Sequence, residues 1–590
     1  MHYRTFLNNT IPLLSYRRKF QIFCLLFASL VASVIEILAV ASIIPFLSYL
    51  NDGAQSKQLA LDEMLKNFIS LELNITHYVL IFIFLTILAN LSRVLILIAQ
   101  TRLSQALGLD FSKLMFLSIL TNDYSWQLKK SSAENISNIT IKINNVVTQF
   151  INPLFEAVLS SIILLTLVMF LVYLQPKIVI SVLVIYGVLY LIAMRSIRGR
   201  LSLKGEQISK SLDDLVSQVG EVSALIKSII IFNKQQYFFE SFMQTSRVYR
   251  RLVGDVSIYA LVPRYIFEAI GIIVVACALF VVTTLQGQSF MDILPFFGAF
   301  ALAGQRVMPL MQRIYISLTL IRASVPQLSA ISSYVEREFS NNKSMNIEDP
   351  ENHQFAFLSK RVDASSLKFQ KSIELRDVEF LDVEGNRLLS NVSMKIDKNS
   401  ILGIKGHTGS GKTSLLNIIL LLLKPSNGQI LLDGIEINAQ NQDQYQQLFS
   451  LVSQENELPS LDIISNVGFA DLGGKVRQKA VKKAARLAKV SHLLNRNEGE
   501  QYENTGLRLL SGGEKQRLNI ARSLYANRDV MVLDELSSAL DKKTEAQIIQ
   551  YLKTLKYEKT LIIVSHSKEV LAICDRVYEI HNGQVKLVNS

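Results

Sequence analysis

Gly406-His407-Thr408-Gly409-Ser410-Gly411-Lys412-Thr413 decides the reading of the carboxy-terminal part of this chain. The octapeptide follows the apolar run Ile401 to Ile404 and leads into the helix-forming stretch Ser414 to Leu423, the strand–loop–helix context a phosphate loop requires. Its glycines let consecutive backbone N–H groups close around phosphate oxygens, and the helix start adds its dipole. Lys412 is expected to reach the β- and γ-phosphates of a nucleotide, and Thr413 to ligate Mg²⁺. Gly406, His407, Thr408, Gly409, Ser410, Gly411, Lys412, Thr413 and Ser414 therefore form the candidate nucleotide-binding loop. Farther on, Val530-Met531-Val532-Leu533 has the composition of a buried parallel strand and ends in Asp534-Glu535. Asp534 is placed to hold Mg²⁺, directly or through water, and Glu535 to polarise an attacking water.

Between these motifs lies Leu510-Ser511-Gly512-Gly513-Glu514. With it the chain resembles the ABC transporter superfamily, whose signature is Leu-Ser-Gly-Gly, and the likeness extends over nearly the whole sequence. The resemblance implies further roles. Gln454 is expected to contact Mg²⁺ and couple to the membrane domain. Ser537 to Asp541 corresponds to the D-loop, and His566 to a switch histidine at the γ-phosphate. Ser511, Gly512 and Gly513 would bind phosphate at a helix start, across a dimer in this family, so each chain gives half of two composite sites. ATP and Mg²⁺ are the implied cofactors, with Lys412, Glu535 and His566 as catalytic residues, Asp541 among the nucleotide contacts and Thr413, Gln454 and Asp534 around the metal. Two positions depart from the family pattern. Asp382 occupies the place of the adenine-stacking aromatic, with Phe380 as a possible substitute, and Glu503 to Gly506 matches the exporter X-loop imperfectly.

The first part of the chain has a different texture. Half of the 590 residues are hydrophobic and 19% are charged, which leans toward a membrane protein. Six apolar segments are long enough to span a bilayer: Phe20 to Leu50, Thr76 to Leu103, Val146 to Leu174, Ile178 to Met194, Ile258 to Leu285 and Phe290 to Leu320. The net charge of +12 concentrates in short basic clusters between them, such as Arg17-Arg18-Lys19, which favours the positive-inside rule over a nucleic-acid partner. Both termini and the ATPase then fall in the cytoplasm. The first span reads as an uncleaved anchor. Leu61, Met64, Leu65 and Phe68 have amphipathic-helix spacing in the first outer loop. Cys24, Cys277 and Cys574 are too far apart in sequence to suggest a metal or disulfide pattern.

The expected architecture is an α-helical transmembrane domain of six spans (residues 1–335), a polar linker (336–370) and an α/β ATPase domain (371–590). The order of domains resembles the exporter class, the type IV fold, acting as a homodimer in a multi-pass bacterial inner membrane. Asn122 to Lys130 and Ala224 to Asn233 occupy the coupling-helix positions. Ser33 to Ile37 with Ile44 to Phe46, and Val262 to Glu268, are similar to lipid-linked oligosaccharide flippases, which implies an amphipathic substrate, a lipid or a lipid-linked glycan, moved from the cytoplasmic leaflet. Arg264, Arg306 and Arg313 are the candidate substrate residues, because a charge in a span is costly and arginine forks suit anionic head groups. The competing reading braces Arg264 with Glu268, and Glu36 and Arg93 fit either a structural pair or a cavity. Multidrug, lipid-A-type or peptide export is the alternative cargo reading; a nucleotide-gated channel or regulatory ATPase is the alternative outside transport.

Overall fold

The computed structural model describes residues 14–44, 75–174, 176–280, 290–341, 367–382, 385–455, 457–494, 510–535 and 541–588. Two compact units emerge, one of residues 1–122 with 130–355, the other of 123–129 with 356–590. The amphipathic segment around Leu61, the X-loop, the D-loop core and most of the expected linker lie outside the described residues.

The first unit is built from long helices: α1 (Tyr16–Ala41), α2 (Ile75–Thr121), the short α3 (Tyr124–Gln127, in the segment belonging to the second unit), α4 (Ser132–Leu174), α5 (Pro176–Ile231), α6 (Gln235–Phe280) and α7 (Phe290–Asn341). Among the described residues, α1, α2, α4 and α6 are apolar and long enough to cross a membrane. The fourth and sixth expected spans fall within α5 and α7. Side chains such as Phe84, Ile87, Leu165 and Met169 are mostly exposed on this unit, as lipid-facing residues must be. Small clusters hold the helices together, for example Leu25, Leu103 and Leu159, or Val40, Leu167, Leu171, Val179 and Ala303.

Two helix contacts are set by glycine. A Cβ on Gly205 of α5 would sit 2.1 Å from the Ala323 carbonyl oxygen of α7, and one on Gly108 would sit 2.5 Å from Val147 Cγ2. Only the missing side chain lets α5 approach the α7 backbone at the first and leaves room for the Val147 side chain at the second. Within α4 the α-helical ladder is interrupted twice by π turns, at Ser137–Lys142 and Val147–Ile151, around the α-helical turn Ile143–Val146. Lys142 is buried there and donates to Asp213 of α5 at 2.8 Å, while the Ser137 hydroxyl donates to the same carboxylate at 3.0 Å. α5 and α6 meet at a turn where Asn233 has φ 53°, and Ile231 and Phe232 project from it.

The second unit carries two sheets. β1 (Ser372–Leu381), β2 (Arg387–Asp397), β4 (Asn427–Leu432) and β5 (Ile435–Glu436) form an antiparallel sheet in the order β2-β1-β4-β5. β3 (Ile401–Gly406), β6 (Phe449–Val452), β7 (Val530–Asp534), β8 (Thr560–Val564), β9 (Arg576–His581) and β10 (Gln584–Val588) form the second, in the order β10-β9-β3-β8-β7-β6, parallel except for the β9–β10 hairpin. Strand alternation sends successive side chains to opposite faces. Val530 and Val532 accordingly join one core with Leu402, Ile404, Ile562 and Val564, and Met531 and Leu533 join the other with Leu561 and Ile563. Burial on both faces is why these strands read as unbroken apolar runs. The helices are α8 (Lys412–Ile419), α9 (Gln442–Gln446), α10 (Ile463–Val467), α11 (Gln478–Leu487), α12 (Ser491–Leu494), α13 (Gly512–Ala526), α14 (Lys542–Leu555) and α15 (Lys568–Leu571).

Candidate functional site

The sheet order brings the sequence motifs together. β3, β8, β7 and β6 are consecutive parallel neighbours, and at their carboxyl ends stand the glycine-rich loop, His566, Asp534-Glu535 and Gln454 respectively. In open parallel sheets this edge is where ligands bind.

The loop after β3 is shaped by backbone geometry. Gly409 and Gly411 have φ of +81° and +103°, conformations that a Cβ makes costly. Gly406 admits no Cβ either, since one would lie 2.6 Å from the Ile580 carbonyl oxygen and 2.7 Å from Ser410 Oγ. Gly411 caps α8, so the loop runs straight into a helix start, whose free N–H groups and dipole favour an anion. His407, Thr408, Gly409 and Thr413 are exposed, with Ser414 half-buried at the helix's first turn. Lys412 Nζ donates to the carbonyls of Gly406 (2.7 Å) and His407 (3.0 Å). The Ser410 hydroxyl oxygen is buried without a hydrogen-bond partner among the described residues, a deficit that a phosphate oxygen would relieve. These residues fit a nucleotide's phosphates.

Asp534 ends β7, half-buried. Burial, and then the adjacent Glu535 charge, hold its carboxyl above the usual carboxylate range against the pull of Lys412. A divalent cation would favour the ionised form, so the donor set suits Mg²⁺. Glu535 adopts φ +54°, rare for a side chain of this kind and a conformation that clusters at functional sites. Among the contacts that hold it, its N–H donates to the Val564 carbonyl at 3.0 Å, Gln454 Nε2 donates to its Oε2 at 2.8 Å, and Gln516 Nε2 donates to its carbonyl at 3.2 Å. Gln454, expected beside the metal, thus lies against the catalytic candidate. Gln516 was missed by sequence reasoning. Its only signal was its place in the helix after the signature, where a buried polar side chain needs a partner.

The remaining nucleotide-site positions make local contacts of their own. Ser511 is exposed and caps α13 in a capping box with Glu514, whose carboxylate accepts from the Ser511 N–H and hydroxyl, both at 2.9 Å. These hydrogen bonds, the backbone one foremost, keep the Glu514 carboxyl below its usual range. Gly512 and Gly513 open the same helix. Asp541 is exposed and caps α14, accepting from Thr544 N–H at 3.0 Å. Asp382 closes the β1–β2 connection instead, its carboxylate accepting from the Asn386 N–H (2.8 Å) and side-chain amide (3.0 Å), while Phe380 packs against the core.

In the membrane unit the arginines separate. Arg306 lies 3.2 Å from the buried carboxylate of Glu36, which Arg93 also contacts. Arg313, largely exposed, approaches Glu156 at 3.9 Å. Arg264 and Glu268 are both exposed, and no ion pair joins them among the described residues, so the brace of the competing reading is not formed. Glu36 and Arg93 form a pair, as one of the two readings had it. Asp123, at the start of α3, lies 3.3 Å from Lys424 within the second unit, and Trp126 is buried.

The ABC transporter family model matches residues 389–538, and that for the ABC transporter transmembrane region matches residues 22–310. The chain belongs to the ABC transporter family, with its membrane region and ATPase domain joined on one polypeptide. It is similar to the ABC transporter B family member 29, chloroplastic, of Arabidopsis thaliana, with 34% identity over 38% of this chain and 36% of the relative. The chain thus spans little more than a third of that relative's length. It is 24% identical to an ATP-dependent lipid A-core flippase of Aromatoleum aromaticum, over 82% of this chain and 77% of the flippase. The fold is that of a bacterial Atm1-family ABC exporter solved with ATP bound, with TM-score 0.73, 18% identity, and 96% and 94% of the two chains covered.

Proposed function

We propose that this protein is an ATP-hydrolysing exporter that works as a homodimer and moves an amphipathic substrate, a lipid or lipid-linked glycan, outward from the cytoplasmic leaflet of a bacterial inner membrane. The observation that carries the reading is the convergence of the glycine-rich loop, Asp534, Glu535, Gln454 and His566 at one sheet edge. The loop amides, Ser410 and Lys412 would bind the phosphates. Thr413, Asp534 and Gln454 would hold Mg²⁺, which neutralises charge on the β- and γ-oxygens when bound. Glu535, fixed by Gln454 and Gln516, would orient the water, and His566 would meet the γ-phosphate. Ser511, Gly512, Gly513 and Asp541 would complete the site from a partner chain; each stands at an exposed helix start, where free N–H groups can meet a phosphate. The domain limits proposed are 1–335 and 371–590.

For the cargo, the flippase relative and the excess positive charge of two guanidiniums on the single carboxylate of Glu36 support an anionic head group, and Arg264 and Arg313 are exposed. Arg306 belongs to this cluster through its contact with Glu36. The test is Glu535→Gln: hydrolysis by the purified protein should fall at least a hundredfold with nucleotide binding retained. Near-normal turnover would remove Glu535 from the mechanism. Cysteines at Ser410 and Ser511 should crosslink between chains when nucleotide is bound; links solely within one chain would refute the shared site.

A further inference from the structure

Helix α11 has two faces. Val481, Ala484 and Ala485 are buried in the core, while Lys479, Lys482, Lys483 and Arg486 are exposed on the opposite side. These four follow i, i+3, i+4, i+7 spacing, so they share one stripe about 10 Å long. Together with Ser491 and Leu494 of α12 they line a cleft of about 450 Å³, within the size range of small-molecule sites.

The arrangement works against the helix that bears it. Lys479 faces Lys482 and Lys483, and Arg486 faces the same two, so four like-charged neighbours repel. The helix contains no acidic residue, and its basic first turn opposes the positive end of the dipole. Among the described residues no carboxylate pairs with any of the four, whereas Arg477, just before the helix, pairs with Asp471 at 3.0 Å. A local rule broken without a folding gain is what a binding site looks like.

We propose that this cleft is a second anion site of the ATPase domain, separate from the glycine-rich loop, that takes a small molecule carrying a di- or triphosphate group. A concave wall favours such a ligand over an extended macromolecule. The lysine stems and Leu494 offer apolar surface to the rest of the molecule, and the Ser491 hydroxyl adds a hydrogen bond.

The experiment uses the full chain in nanodiscs of zwitterionic lipid, with the glycine-rich loop saturated by a non-hydrolysable ATP analogue and Mg²⁺, and titrates tripolyphosphate by calorimetry. One further tripolyphosphate should bind per chain, more weakly as salt rises. Lys482→Glu with Lys483→Glu should weaken it tenfold or more while the analogue still binds. If that variant fails to bind the analogue, Lys482→Ala with Lys483→Ala decides, with a smaller loss expected. The proposal is overturned if no probe binds once the loop is filled, if the folded variant binds it as the wild type does, or if tetraglutamate binds and tripolyphosphate does not.

Discussion

Replacing Glu36 by Gln tests the charge cluster of the membrane unit. The Glu36 side chain is 3% exposed and meets two guanidiniums, those of Arg93 and Arg306, whose side chains are 32% and 15% exposed. Removing its charge leaves two like charges facing each other with no counterion between them. Breaking a buried pair from one side costs about 3–5 kcal/mol, and the partial exposure of Arg93 places this case near 3 kcal/mol. At about 2 °C per kcal/mol for a large domain, the variant should melt roughly 6 °C below the wild type. The assay is thermal loss of helical circular dichroism in nanodiscs. Arg306→Gln should cost less, because Glu36 keeps Arg93. Leu at 36 with Met at 93 and 306 should recover most of the loss, since a well-packed apolar replacement of a buried pair is often neutral. If Glu36→Gln melts like the wild type, or if its cost adds in full to that of Arg306→Gln, the shared-carboxylate argument is wrong.

Three further outcomes are expected. Gly205→Ala should destabilise by about 1–3 kcal/mol in the same melt, because its new methyl would meet the Ala323 carbonyl at 2.1 Å and α5 must move away. Glu514→Ala should remove the capping box from α13 and cost about 0.5–2 kcal/mol, whereas Glu514→Gln, which can still accept, should cost less; equal melting of all three proteins would refute the role. Burial, helped by the Asp575 charge, pushes the Cys574 thiol up to about 12, so at pH 8 it stays protonated and should resist alkylation in the native protein but react once denatured, read by mass spectrometry; native labelling at that pH would contradict the packing.

The ATPase strands were legible because burial on both faces leaves an unmistakable apolar run, and the loop because only glycine and small residues fit around phosphate. The place of Asp534 and Glu535 at a strand end was legible for the same reason. The partners of these residues were not. Gln454 against Glu535, and Gln516 beneath it, depend on strand order, which joins residues 81 and 19 positions apart. Asp382 at the adenine position looked like a lost contact, whereas the hairpin uses it locally, a role that turn chemistry in Asp382 to Asn386 hinted at. In the membrane unit, depth along a helix placed Arg306 in the span but said nothing of its azimuth, so its contact with Glu36 of another helix was not legible.

The two π turns in α4 have a consequence for how this chain can vary. Deleting one residue from a regular helix rotates everything beyond it by about 100°, since 3.6 residues make a turn, and would tear the packing on both sides. A π turn holds one residue more than the α-helix around it. Loss of a single residue within Ser137–Lys142 or Val147–Ile151 can therefore be absorbed as a return to the ordinary ladder, with both flanks left in phase. Length changes between descendants of this sequence should collect at these two turns, and the spans on either side should keep their number of residues.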